Sequence, residues 1–393
     1  MKQSDERILT THTGSLPRPE RLLTVLLDKE SGKAALPADF DALAADAVSA
    51  IVARQRACGI DIINDGEQAK PDYSTYIKDR LSGFEGETVA IPVSRDARDF
   101  PAFFAAAADS AIGRTVARPA CTGPIAWRDF GAADEDIARF KAAIGTQATQ
   151  AGGAGTEQFM SAVSPGQAAR FLGNRYYDSH EAYLRALGAV LKREYDAIAA
   201  AGFILQLDCP DLASGWNNQF ADLTLAQFGD IVRLHLDVLE EATRDVPASQ
   251  LRLHLCWGNY EGPHNHDIPL EEILRPVLAS RAMAVSFEGA NPRHEHEWRV
   301  FRDITLPEGK IIIPGVLDST SNFIEHPDLI ADRICRYAAL VGRENVIAGT
   351  DCGFATFAGR LQVHPDITWA KFAAMTEGAR RASDRLWGRS GGG

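Results

Sequence analysis

The chain has 393 residues, 45% of them hydrophobic and 24% charged, enough apolar content for a large core, which excludes disordered, collagen-like and coiled-coil classes. Acidic side chains outnumber basic ones, 53 against 41, and no run of Lys or Arg marks a phosphate-backbone footprint, so nucleic acid is not an expected partner. No stretch of about 18 apolar residues lacks charges, residues 1–7 lack the apolar core of a signal peptide, and six cysteines are too sparse for a disulfide scaffold. The expectation is a cytoplasmic protein with no membrane association.

Along the chain, short apolar runs alternate with longer amphipathic stretches. The runs occupy residues 8–11, 60–64, 116–121, 159–163, 204–208, 251–256, 283–288, 311–317 and 346–351. Helical periodicity is clearest over 41–56, 179–200, 223–243, 269–279 and 327–341. This alternation predicts α/β architecture with a parallel sheet. Nine runs compete for the eight strands of a (β/α)8 TIM barrel, so one is surplus, and residues 87–94 offer a further hairpin strand outside it. An open doubly wound sheet is the alternative, but no Gly-x-Gly-x-x-Gly follows the first strand. Residues 83–115, rich in Ala and Pro, read as an insertion. Residues 1–388 are expected to form a single barrel domain and 389–393 a disordered tail.

The way the runs end is informative. Asn64-Asp65-Gly66-Glu67, Gln206-Leu207-Asp208, His254-Leu255-Cys256, Phe287-Glu288, Leu317-Asp318 and Thr350-Asp351-Cys352 all close apolar runs. In a barrel these C-terminal strand ends share the face where active sites lie. His254 and Cys256 are two apart, so in a strand both face one side. A lone His-x-Cys is more often buried packing than a ligand pair. Glu288 and Cys352 at two further strand ends complete a set of one imidazole, one carboxylate and two thiolates, which suits Zn2+ and disfavours Mg2+ or Ca2+. Such an ion keeps a bound thiol deprotonated at neutral pH. With two thiolates already in the set, a nucleophilic sulfur is favoured over water activation and hydrolysis.

At these residues the sequence resembles the cobalamin-independent methionine synthase family, specifically its C-terminal catalytic barrel. The resemblance runs from Thr10-Thr11-His12-Thr13-Gly14-Ser15-Leu16-Pro17-Arg18-Pro19 through Asp65-Gly66-Glu67, Thr122-Gly123-Pro124, Asp208-Cys209-Pro210 and His254-Leu255-Cys256 to Glu288 and Asp351-Cys352-Gly353. It implies a zinc-dependent enzyme that alkylates a thiol, with His254, Cys256, Glu288 and Cys352 as zinc ligands and Ser15, Glu67 and Asp208 holding the amino-acid part of the thiol. Two departures stand out. The family's Asp-x-His-Ser, whose His protonates the folate nitrogen, reads Asp318-Ser319-Thr320-Ser321, and its Asp-Glu-Pro reads Asp208-Cys209-Pro210. A hydroxyl is a poor general acid beside an imidazole. The segment from His254 to Asp267 is similar to a single-barrel branch that includes epoxyalkane:coenzyme M transferase.

The expected function is therefore zinc-dependent alkyl or methyl transfer, a zinc-bound thiolate attacking an electrophilic carbon from a non-folate donor. The alternatives are a thiol-epoxide or thioether lyase, a folate-dependent homocysteine methyltransferase, and a degenerate barrel that binds a ligand without turnover. Asp208, Glu67 and His326 are the candidate catalytic residues, His326 as a replacement acid that equally suits a helix entry before Pro327. His12, Ser15, Glu67, Asp208, Trp257 and Tyr260 are the candidate substrate-binding residues. His264, His266, His294 and His296 read as solvated loop residues, with substrate-lid or acid roles as the alternative. Arg18 suits either an anionic substrate group or a surface salt bridge. Cys58, Cys121 and Cys335 read as buried apolar residues.

Overall fold

The computed structural model describes residues 1–89, 92–109, 118–151 and 156–388. Eight parallel strands form one sheet: β1 Leu9–Thr10, β2 Ile62–Ile63, β3 Glu157–Val163, β4 Ile204–Asp208, β5 Leu251–His254, β6 Ala284–Phe287, β7 Ile311–Leu317 and β8 Ile347–Thr350. Their order is β1-β8-β7-β6-β5-β4-β3-β2, and every registered pair is parallel. The β1–β2 seam is bridged by the Asp61 amide donating to the Thr10 carbonyl at 3.2 Å and by the Thr10 amide donating to the Asp61 carboxylate at 2.9 Å. The expected (β/α)8 barrel is thus nearly closed.

The apolar strands are buried on both faces, as parallel strands covered by helices must be. All seven residues of β7 and all five of β4 are buried. Twelve helices accompany them among the described residues: α1 Glu20–Glu30, α2 Phe40–Ala57, α3 Ile77–Arg80, α4 Arg95–Asp99, α5 Pro101–Asp109, α6 Gly131–Ala151, α7 Pro165–Phe171, α8 His180–Ala200, α9 Leu225–Ala242, α10 Leu270–Ala279, α11 Pro327–Val341 and α12 Pro365–Trp387. Their starts are encoded locally. Thr224 and Gln227 form a reciprocal capping box on α9, and Ser179 caps α8 through the Ala182 amide.

Of the nine apolar runs, 116–121 is the surplus one. Residues 116 and 117 lie outside the described residues, and Cys121 makes only an isolated bridge to Asn174. The hairpin expected over 87–94 reduces to one antiparallel bridge, Thr88 to Pro119, with 90 and 91 outside the described residues. The tail 389–393 also lies outside them. The insertion is the long β2–β3 connection. Its helix α4 reaches the mouth of the barrel, where the Arg95 amide donates to the Asn217 carbonyl at 2.9 Å. No helix among the described residues is long and apolar enough to cross a membrane.

The barrel interior is layered. Ile62, Phe159, Ile204, Ala284, Ile311 and Ile347 form an apolar floor. Two residues on, four of these columns turn polar, to Asn64, Ser161, Gln206 and Ser286, and the β4 column continues on the same face to Asp208. Arg252, fully buried, plugs this middle layer. Its Nε donates to Gln206 Oε1 at 2.8 Å, Nη1 to Thr11 Oγ1 at 3.1 Å and Nη2 to the His12 carbonyl at 2.9 Å.

Candidate metal centre

One layer above Arg252, the end of β5 presents His254, and Cys256 follows two residues past the strand. Cys352, just past β8, meets them. The three ligand atoms lie within 4.8 Å of one another, and all three residues are buried. Cys256 Sγ is 2.9 Å from Cys352 Sγ, and Cys352 Sγ is 3.6 Å from His254 Nε2. His254 Nδ1 meets Ser286 Oγ at 3.2 Å, which leaves Nε2 for the cluster. Burial, aided by the Arg252 charge, pushes the His254 imidazole down to about 3, so it is neutral, the form that ligates metals. Glu288 stands at the edge of the group, Oε1 3.8 Å from Cys352 Sγ. That oxygen also accepts the Trp257 amide at 2.7 Å, and Oε2 accepts Asn291 Nδ2 at 2.8 Å. His254, Cys256 and Cys352 therefore form a compact soft donor set, with Glu288 adjacent and bound to protein donors.

Close backbone approaches hold the set. The Asp351 carboxylate accepts the amides of Gly289, Ala290 and Asn291, each at 2.8 Å, and so ties the end of β8 to the end of β6. A Cβ on Gly315 would fall 1.9 Å from Asp351 Oδ1, and one on Gly353 would fall 2.1 Å from Ser15 Oγ, so neither position tolerates a side chain.

A cavity of about 470 Å3 opens above the donor set. Ser15, Glu67, Asp208, His254, Cys256 and Cys352 all line it, so seven of the eleven candidate site residues are gathered at one place once Tyr260 is counted. Glu67 sits at φ +54, a left-handed conformation uncommon for a non-glycine, and its Oε2 is buried without a hydrogen-bond partner. Burial raises its carboxyl to about 7 against the opposing charge of Lys70. Asp208 is pushed well above the carboxylate range, first by burial and then by Glu67, and accepts Gln206 Nε2 at 2.7 Å. Two buried carboxyls thus face one cavity in an environment that favours their neutral forms.

The remaining candidates lie elsewhere. His12 is buried below the cavity, Nε2 2.8 Å from Gln55 Oε1 and Nδ1 accepting the Gly14 amide at 3.2 Å, so both nitrogens serve the scaffold. Trp257 is 1% exposed, its Nε1 donating to the Ile268 carbonyl at 2.7 Å, and it does not line the cavity. His326 is exposed at the start of α11, where Nδ1 accepts the Asp328 amide at 3.2 Å. It is a helix cap outside the cavity lining, which does not place it as the replacement acid. Arg18 is neither a substrate ligand nor a surface ion pair. It donates to the carbonyls of Ala355, Glu67 and Lys70 at 2.8–2.9 Å and braces the turn that carries Glu67. Cys121 is buried as expected, whereas Cys58 and Cys335 are partly exposed.

His264 and His294 are not solvated. Glu297 Oε2, His294, Asp267 Oδ2, His264 and the Tyr260 carbonyl form an unbroken chain of contacts at 2.9, 3.0, 2.8 and 3.0 Å. Their carboxylate partners outweigh burial and raise His264 to about 9 and His294 to about 10. His264 also lines a second chamber that shares Gly258, Tyr260 and Glu261 with the main cavity and contains Thr320. His266 is half-buried against Asp99 at 2.6 Å.

Sequence reasoning missed Arg252, although a charged residue inside the apolar run 251–256 was a visible signal. It also missed Lys70, whose Nζ donates to the Ser161 carbonyl at 2.8 Å, and Arg118, Arg170 and Arg360 at the cavity mouth, which no motif marked.

No family model matches the chain. It is 21% identical over 392 residues to the 5-methyltetrahydropteroyltriglutamate--homocysteine methyltransferase of Bifidobacterium longum subsp. infantis, covering 96% of this chain and 43% of that protein, so it spans less than half of that relative's length. It is 23% identical over 366 residues to the methionine synthase of Thermococcus kodakarensis, covering 92% of this chain and 91% of the relative. Among solved structures, a B12-independent methionine synthase from Shewanella sp. W3-18-1 in complex with selenomethionine superposes with a TM-score of 0.73 at 20% identity, covering 97% and 99% of the two chains. A putative vitamin-B12 independent methionine synthase from Listeria monocytogenes gives 0.63 at 18% identity, covering 95% and 98%. The resemblance to cobalamin-independent methionine synthases therefore holds over nearly the whole chain, and the barrel is shared with them. The likeness to epoxyalkane:coenzyme M transferase rests on the sequence segment alone.

Proposed function

We propose that this chain is a zinc-dependent methyltransferase whose methyl acceptor is homocysteine. The observation that carries the reading is the compact His254, Cys256 and Cys352 set at the floor of a cavity that also presents Glu67, Asp208 and Ser15. The donor chemistry fits zinc: a neutral imidazole and two thiols, with a carboxylate 3.8 Å from one of them. His254, Cys256 and Cys352 would hold the ion, with Glu288 as the further ligand, and the ion would keep an added thiol in its nucleophilic thiolate form.

The chain's own residues orient that thiol. The unpartnered Oε2 of Glu67 and the Asp208 carboxyl are acceptors for the ammonium group of an amino acid, and Ser15 Oγ adds a third polar contact. An arriving cation returns both carboxyls to their charged forms, because it offsets the burial that keeps them neutral. In the transfer, sulfur forms a bond to the methyl carbon as the carbon–donor bond breaks. The electron pair leaves on the donor, which then takes up a proton.

The names of the relatives support the folate-dependent alternative over a non-folate donor. Thr320 is the observation on the other side. Its hydroxyl donates to Asp318 Oδ1 at 2.7 Å and is a weak acid for a leaving nitrogen. The lyase alternative draws no support from these relatives.

The test has two parts. Purified protein should contain zinc near one per chain, and homocysteine should add one sulfur scatterer to its X-ray absorption spectrum. Unchanged coordination during turnover would make the ion structural and sink the reading. Methionine formed from methyltetrahydropteroyltriglutamate would establish the folate donor. Its absence, with the homocysteine-dependent spectral change intact, would return the donor to the non-folate class.

A further inference from the structure

Three arginines line the cavity mouth from three separate segments: Arg118 before β3, Arg170 in α7 and Arg360 after β8. The guanidinium carbons of Arg118 and Arg170 lie 4.4 and 5.2 Å from the centre of the Phe171 ring, so two cations crowd one aromatic residue. Among the described residues, none of the three makes an ion pair with a carboxylate. Arg170 donates to Ser214 Oγ at 2.6 Å and Gln167 Oε1 at 3.4 Å, and its Nε is buried without a partner. Arg118 lies near Asp72, but Asp72 spends its oxygens on Ser74 and Thr75. Glu261, on the cavity wall, pairs with none of them. Burial lowers Arg118; Asp72 opposes that, and the like charges of Arg170 and Arg360 add to it. Elsewhere on this acidic chain arginines are commonly paired, as Arg80, Arg139 and Arg333 are. Mutually repelling guanidiniums beside aromatic rings, with no carboxylate paired to any of them, are the composition of an anion site.

We propose that Arg118, Arg170 and Arg360 form a subsite for an oxyanion group (carboxylate, sulfonate or phosphate) carried by the methyl donor, and that this subsite sorts donors by charge. The proposal rests on the methyl-transfer reading above. The thiol is expected at the cavity floor, so the mouth remains for the donor. Sulfonium and quaternary ammonium compounds are intrinsically reactive methyl donors because their leaving groups depart neutral. Here their positive charge would meet three cations. An anionic donor gains attraction on approach and bidentate hydrogen bonds on arrival. Phe103, Phe104 and Phe357, on the same cavity wall, offer apolar cover for the part of the donor between the anion and the methyl group.

The experiment is calorimetric titration of zinc-loaded protein with glutarate, ethanesulfonate, methyl phosphate and choline, with and without homocysteine. At least one oxyanion should bind and choline should not. The tightest of the three names the anion class. Arg360→Gln changes an exposed side chain and so leaves folding intact, and it should weaken oxyanion binding about tenfold. Arg118→Gln with Arg360→Gln should weaken it about a hundredfold while zinc content stays constant. Absence of oxyanion binding, or binding that Arg360→Gln leaves unchanged, overturns the subsite. Loss of oxyanion binding when homocysteine is preloaded also overturns it, because the arginines would then serve the thiol's own carboxylate. The homocysteine-dependent change in the zinc absorption spectrum is read separately, so failure of the methyl-transfer reading remains distinguishable from failure of this one.

Discussion

Two buried histidine clusters lie near one another at the barrel mouth and have opposite character. His254 has no carboxylate partner, is neutral, and turns Nε2 toward two thiols. His264 and His294 are each bonded to Asp267, with Glu297 behind His294, and are charged. The first cluster has ligand atoms to spare; the second has satisfied itself. The residue type is the same, and the neighbouring acceptor decides whether a buried imidazole awaits a metal or stabilises a loop.

That contrast can be broken from either side. The largest effect is expected in the first cluster: Cys352→Ser should weaken zinc binding by about a hundredfold or more, read by elemental analysis after dialysis, with the fold retained. Full zinc retention would remove Cys352 from the ligand set. In the second cluster, Asp267→Asn takes the shared counter-charge from two imidazoliums. It should cost about 3–5 kcal/mol of stability, measured by urea unfolding, without lowering zinc affinity in the folded protein. Parallel losses of stability and metal would show that the clusters act as one.

A pH series sharpens the same point. His264 and His294 rise from 6.5 to about 9 and about 10 in the folded protein. Their stabilisation is therefore complete below pH 6.5 and is lost as pH climbs through 9 and 10. The unfolding midpoint should fall across that alkaline window, and Asp267→Asn should flatten the fall. A smaller effect is expected from Ser286→Ala, which removes the partner of His254 Nδ1 and should weaken zinc binding about tenfold. Smallest of all, His326→Ala should cost about 1 kcal/mol or less through the lost cap of α11 and leave methyl transfer unchanged.

The legible and illegible parts of this molecule divide by how local their causes are. All eight strands are legible in the sequence because each coincides with a short apolar run, most of them set between amphipathic stretches. The donor set was visible because a barrel puts strand ends on one face, so order along the chain became proximity in space. Run 116–121 does not stand out in the sequence as the surplus one, because apolar content alone does not say whether a strand partner exists. Trp257 and His294 were misplaced for a related reason. Their burial depends on how the loops after β5 and β6 fold against each other, and their ring centres lie 4.3 Å apart only in the assembled structure. His12 sits at the end of a strand run, yet Gln55 from α2 claims its ring. The arginines of the cavity mouth come from segments far apart in sequence and share no spacing that a motif could record.

The two thiols of the donor set lie 96 residues apart, and Cys352 follows the last strand to join the ring. That strand pairs with both β7 and β1, so its arrival is what closes the circle. A growing chain on the ribosome that has emerged only through β7 owns His254 and Cys256 but lacks the second sulfur. Contacts of such long sequence separation form late and slowly. If the donor set holds zinc as proposed, acquisition of the ion is coupled to completion of the barrel, and zinc release during unfolding should report the opening of the β8 seam before the helices melt.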